Sequence, residues 1–138
     1  MVAYQRGLGA AHRQGSVLIA DQEPELRREL ASLFRDAGYW THLAADDEEA
    51  VEIVHREAID VVVVALELPR CGGLDFLRAV RQVIKASMPC VLTALEVSGR
   101  LQVRAFVEDA FTVVPKPLYG SVVVRAVASA LRRHHESR

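Results

Sequence analysis

Cysteine is nearly missing from this 138-residue chain: Cys71 and Cys90 are the only two. With no C-x-x-C pair there is no zinc motif and no disulfide framework, and the thiols point to a reducing, cytoplasmic setting. Long apolar runs are missing too. No stretch approaches the ~18 residues of a membrane span, so no membrane partner is expected. The opening stretch MVAYQRGLGAAHRQG lacks the apolar centre of a signal peptide. Net charge is only −1, which gives no electrostatic ground for binding nucleic acid. No Gly-rich phosphate loop follows the first apolar strand, so nucleotide and flavin binding are not favoured. No internal repeat or low-complexity segment is visible. Lysine is scarce: of 17 basic side chains only Lys85 and Lys116 are lysines. Each lysine is therefore an unusual choice for this chain.

What is present suffices for one domain. Hydrophobic residues make up 51% and charged residues 25%, enough to fill a core, and disorder is not expected. The centre is Asp60 to Leu74, reading D-V-V-V-V-A-L-E-L-P-R-C-G-G-L. Four successive valines with no polar alternation read as a strand buried on both faces. Pro69 stops the run, and Gly72-Gly73 mark a turn. Leu74, Leu77, Val80 and Ile84 then repeat at helical spacing.

The same alternation runs through the chain. Ser16–Ala20 reads as a strand, ending in Asp21-Gln22-Glu23, with Pro24 in a first helical turn. Leu26, Leu30, Leu33, Phe34 and Ala37 line one helix face, and Gly38 closes it. Tyr39–Leu43 reads as a strand. Asp46 with Glu49 resembles a capping box before a helix burying Ala50, Val51, Ile53 and Val54. Pro89–Thr93 is a fourth strand, Leu101–Val107 a shorter helix, Thr112–Val114 a fifth strand and Ser121–Arg133 a final helix. Residues 1–15 read as a mobile tail, 16–133 as the domain and 134–138 as a polar end. His134-His135 suits a frayed helix end, where the dipole favours cations.

Five strand-helix units in strict alternation predict an α/β fold: a doubly wound, five-stranded parallel sheet of order 2-1-3-4-5, flavodoxin-like, in three α/β/α layers. That order is expected to set the ends of the first, third and fifth strands side by side. They carry Asp21-Gln22, Ala65 and Lys116.

These stretches resemble the receiver domain of two-component response regulators. V-L-I-A-D-Q-E is similar to the family's first strand, which ends in acids. D-V-V-V-V-A-L-E-L-P-R-C-G-G-L is similar to its third strand and loop. Thr93-Ala94 resembles the switch hydroxyl of the fourth strand, and P-K-P-L at Pro115–Leu118 the fifth-strand Lys-Pro pair. The resemblance spans Ser16 to about Arg133. It implies signalling by phosphoryl transfer to an aspartate with a divalent metal bound, and a cis Lys116–Pro117 peptide. By position, Asp21 matches the first acid, Gln22 the second and Ala65 the phosphorylated aspartate. Glu67 matches the position whose carbonyl meets the metal.

The chain departs from that pattern three times. Ala65 puts a methyl where the chemistry needs a carboxylate. Gln22 puts a neutral amide where a metal-ligating acid is expected. Val113, three before Lys116, stands where the family carries an aromatic that reports activation; Phe111 has the wrong offset. Together these read as a naturally degenerate receiver, because blocking phosphorylation by design needs only the first.

Plainer roles stand beside these. Asp21 suits a helix cap with Gln22 as well as a relic pocket. Thr93 suits packing as well as a retained hydroxyl contact. Glu67 reads first as a solvated loop charge, with a turn toward Lys116 as the alternative. Cys71 and Cys90 read as small packing residues. In the last helix one stripe (Val123, Val127, Ala130, Leu131) suffices for the core. Val124 and Ala128 are then expected outside, beside Arg125 and Arg132, as an interface for a homodimer or partner. In the family the fourth helix, fifth strand and fifth helix form the usual partner surface.

The expectation is a stand-alone pseudo-receiver, not an enzyme, with no metal and no cofactor. It acts through a protein partner: a histidine kinase, another regulator or an effector. No output domain fits after Arg133. Two other readings stay open: a phosphoacceptor using Glu67 or Asp21, and a small-molecule site in the vacated pocket.

Overall fold

The computed structural model describes residues 14–70, 72–83 and 88–136. Residues 1–13 of the expected tail at 1–15, Cys71, residues 84–87 and residues 137–138 of the expected polar end lie outside the described residues. Five strands form one sheet: β1 (Gly15–Ala20), β2 (Tyr39–Ala44), β3 (Val61–Ala65), β4 (Cys90–Ala94) and β5 (Thr112–Pro115). Five helices alternate with them: α1 (Pro24–Asp36), α2 (Asp47–Arg56), α3 (Gly73–Val83), α4 (Gly99–Val107) and α5 (Gly120–Glu136). All neighbouring strands are parallel, in the order β2-β1-β3-β4-β5.

The valine run explains the layering. Successive side chains of a strand point to opposite faces. Val62 and Val64 enter the core with residues of α2, α3 and α4, while Val61 and Val63 enter the core with α1 and α5. Every residue of β3 is buried. Each such valine contributes roughly 1.5–3 kcal/mol relative to exposure, so a polar alternation here would cost one of the two cores.

Local signals set the helix starts. Pro24 occupies the first turn of α1, where its missing N–H costs nothing. Asp46 caps α2 by accepting from the Glu49 N–H at 2.8 Å, and Glu49 Oε1 accepts from the Ala45 N–H at 2.7 Å. Ser98 caps α4, its Oγ accepting from the Leu101 N–H at 3.1 Å. The double glycine before α3 has two separate reasons. Gly72 sits at φ +86°, a left-handed conformation that side chains disfavour. At Gly73 a Cβ would lie 2.5 Å from the Ala65 carbonyl oxygen, so any side chain would push α3 off the end of β3.

Several boundaries differ from the sequence expectation. β1 begins at Gly15, one residue into the expected tail. α5 runs to Glu136, so His134 and His135 belong to the helix and not to a polar end. β4 lies between β3 and β5. The ends of the first, third and fifth strands are therefore not all adjacent, and a β5 side chain must reach past β4 to meet β1. Among the described residues, no helix is long and apolar enough to cross a membrane.

Candidate functional site

The carboxyl ends of β1, β3, β4 and β5 open onto one edge of the sheet, where a fold of this kind builds its sites. Asp21 follows β1 directly, and its backbone N–H donates to the Ala44 carbonyl at 3.0 Å. That bond fixes the residue beside the end of β2. Its Oδ1 accepts from the Glu23 N–H at 2.9 Å. Its Oδ2 lies 2.9 Å from Lys116 Nζ, with side chains only 4% and 7% exposed. Of the two roles that the sequence left open, Asp21 stands in the pocket with Lys116; it does not cap α1, whose cap position is Glu23 and has no side-chain cap bond.

Lys116 leaves β5 with its N–H donating to the Ala94 carbonyl at 2.8 Å, and the Lys116–Pro117 peptide is cis. Its ammonium also faces Glu67 Oε1 at 3.6 Å. Glu67 is therefore not a solvated loop charge: its side chain folds inward and is 23% exposed. Its Oε2 accepts from the Leu95 N–H at 2.7 Å. Its Oε1 is closed off from solvent and has no hydrogen-bond donor.

The remaining positions divide clearly. Ala65 is buried and lies opposite Thr93 in the β3–β4 ladder; the Leu66 N–H donates to the Thr93 carbonyl at 2.7 Å. Thr93 is buried at this same edge. Gln22 is exposed. Val113 is half-buried against the core beneath α4. Two carboxylates face one ammonium, an excess of one formal negative charge. The N–H groups of Glu23 and Leu95 take up that surplus. Removing one partner of a buried pair such as Asp21–Lys116 costs about 3–5 kcal/mol, because the other charge is left stranded.

The profile of the response regulator receiver domain matches residues 17–128. The chain belongs to that family. It is 29% identical over 123 residues to a probable transcriptional regulator, ycf27, of Guillardia theta, covering 88% of this chain and 47% of that protein. It is 26% identical over 120 residues to response regulator RR06 of Streptococcus pneumoniae serotype 2, covering 87% and 54%. The chain spans about half the length of these curated relatives. Among solved structures, the CheY-like receiver domain protein from Methanospirillum hungatei superposes with a TM-score of 0.83 at 16% identity, covering 90% of this chain and 98% of that one. Vibrio cholerae chemotaxis protein CheY4 gives 0.80 at 24%, covering 85% and 98%. The fold is that of a CheY-like receiver domain, and receiver domains signal through kinases and effectors.

The resemblance also implied a divalent cation, and the residues do not fit one. Such an ion needs several oxygen ligands. Here Asp21 Oδ2 is held by Lys116 and Oδ1 by the Glu23 N–H. Gln22 is neutral, and position 65 supplies only a methyl. Among the described residues, no group of three or more His, Cys, Asp or Glu side chains is placed to hold a metal ion.

The sequence placed an interface of Val124, Ala128, Arg125 and Arg132 on the outside of α5. Val124 and Ala128 are half-buried, and Val124 packs with the core shared with α1. α1 packs against α5, so the buried arc of α5 is wider than one stripe. Arg125 is exposed, while Arg132 Nη2 donates to Ser129 Oγ at 3.1 Å within its own helix. Leu95, Tyr119 and, on α5, Val122 are exposed apolar side chains, and α4 carries three more: Val103 is 63%, Phe106 83% and Val107 70% exposed. They share one helix face at i, i+3 and i+4, opposite the buried Leu101 and Ala105. The signal was in the sequence, as a short helix apolar on both sides. The bond from Glu67 to Leu95 was not, because a backbone N–H has no letter.

Proposed function

We propose that this receiver domain signals by protein contact and accepts no phosphoryl group. One observation carries the reading: where the family's nucleophile stands there is a methyl, in a cleft whose remaining ionised groups are engaged with each other. Neither alternative acid is free to attack a phosphoryl donor. Asp21 is committed to Lys116 and the Glu23 N–H, and Glu67 to the Leu95 N–H. Gln22 and Val113 add to the reading, since the family's second acid and its activation-reporting aromatic are replaced together. The contact surface is the outer face of α4. Val103, Phe106 and Val107 form its centre, and the exposed Arg100 and Arg104 stand i, i+4 along the helix beside them. A partner helix with an apolar stripe and acidic residues beside it is the matching chemistry.

The direct test is intact-protein mass spectrometry after incubation with acetyl phosphate and Mg²⁺. The expected spectrum shows no added phosphoryl mass. A stoichiometric adduct on Asp21 or Glu67 would establish the displaced-acid reading instead.

A further inference from the structure

We infer that Glu67 is a tethered ligand: its carboxylate fills, from within the chain, a small-oxyanion site made by the Lys116 ammonium and the Leu95 backbone N–H. The inference rests on the reading of this cleft as one without phosphoryl chemistry, and adds what occupies it.

Three observations converge. First, the donors are fixed independently of Glu67. Lys116 is pinned by its own N–H to the Ala94 carbonyl at 2.8 Å and by its ammonium to Asp21 at 2.9 Å. Leu95 follows Ala94 directly, so its N–H sits at a point the sheet already holds. Second, the Glu67 carboxylate uses its two oxygens differently. Oε2 makes a short bond of 2.7 Å to the Leu95 N–H, of the charge-assisted kind. Oε1 is closed off from solvent, without a hydrogen-bond donor, and faces Lys116 at 3.6 Å. A carboxylate held this way is placed by the cleft, not by its own loop alone. Third, the bond joins two loops. Glu67 belongs to the segment between β3 and α3, whereas Leu95 opens the segment Leu95–Ser98, which ends in the cap of α4. The anion therefore fastens the chain just before the helix with the exposed apolar face.

The consequence is chemical. Removing the carboxylate leaves the Leu95 N–H without its acceptor and Lys116 with Asp21 alone, and a free small carboxylate has the right charge and size to take the vacated place. Amide hydrogen exchange read by NMR tests this on the full chain as wild type, Glu67→Ala and Glu67→Met. The Leu95 amide is expected to exchange at least about tenfold faster in both variants, the worth of one hydrogen bond to a charged group. Sodium acetate should restore its protection in Glu67→Ala, while sodium chloride of equal ionic strength should not. Glu67→Met, similar in volume but without an acceptor, gives the same reading if the alanine variant folds poorly. Unchanged Leu95 exchange in the variants, or acetate acting no better than chloride, overturns the inference. Phosphoryl labelling of the wild type would defeat the functional reading while leaving the Leu95 result standing, so the two failures are distinguishable.

Discussion

A methyl at position 65 and an amide at position 22 act on the cleft through charge. A complete receiver pocket balances three acids and one lysine with a divalent cation. On the proposed reading, in which two of those acids are replaced, Lys116 alone serves Asp21, at 2.9 Å, and has reach left for Glu67 at 3.6 Å. A second residue-scale consequence concerns Cys90, which is wholly buried in β4 and whose thiol is pushed up to about 12 by that burial, with Arg81 opposing slightly. An unfolded thiol ionises near about 8.5. Above that pH the unfolded chain has lost a proton that the folded chain keeps. The Cys90 contribution to stability is thus full below pH ~8.5 and is lost progressively as pH rises toward about 12. In a Cys71→Ser background, an aromatic disulfide reagent at pH ~8 is expected to react with Cys90 only as fast as the chain opens. Rapid labelling of the native protein would contradict the burial. At this scale the sequence was legible where two side chains meet: the Asp21–Lys116 pair could be read from strand ends. For Glu67 the alternative reading, a turn toward Lys116, matches the 3.6 Å approach, while its shortest bond, to the Leu95 N–H, left no mark in the sequence.

Among the elements, α4 and α5 show how far periodicity can be trusted. The core stripe of α5 was legible, and Val123, Val127, Ala130 and Leu131 are all buried. Its outward stripe was not, because α1 packs beside it and half-covers Val124. In α4 the apolar residues look like an ordinary core pattern until one sees that Leu101 and Ala105 alone are buried. Phe106→Glu is expected to leave stability within about 0.5 kcal/mol, since the ring touches little. It should weaken partner capture by about 2 kcal/mol or more if the ring is the anchor of the contact. Affinity capture from native cells, paired with sedimentation to detect self-association, reads both. Val124→Glu should instead lower the melting temperature, because that side chain packs with the core. Unchanged binding and sedimentation in Phe106→Glu would remove α4 as the contact face.

For the whole molecule, the sheet order was legible because strict strand-helix alternation with right-handed crossovers leaves few topologies. The reach of Lys116 past β4 was not, since it depends on side-chain length across a strand. The domain covers about half of the longer curated regulators it matches. The central claim is that this receiver cleft is closed by its own ion pairs and does not use a divalent cation. Titration calorimetry with Mg²⁺ tests it most directly, on wild type, Ala65→Asp and Gln22→Asp/Ala65→Asp. The account predicts no saturable heat for the wild type at millimolar Mg²⁺, little gain for the single change, because position 22 is still neutral, and clear binding for the double change. Saturable binding by the wild type at millimolar Mg²⁺, abolished by Asp21→Asn, would contradict it.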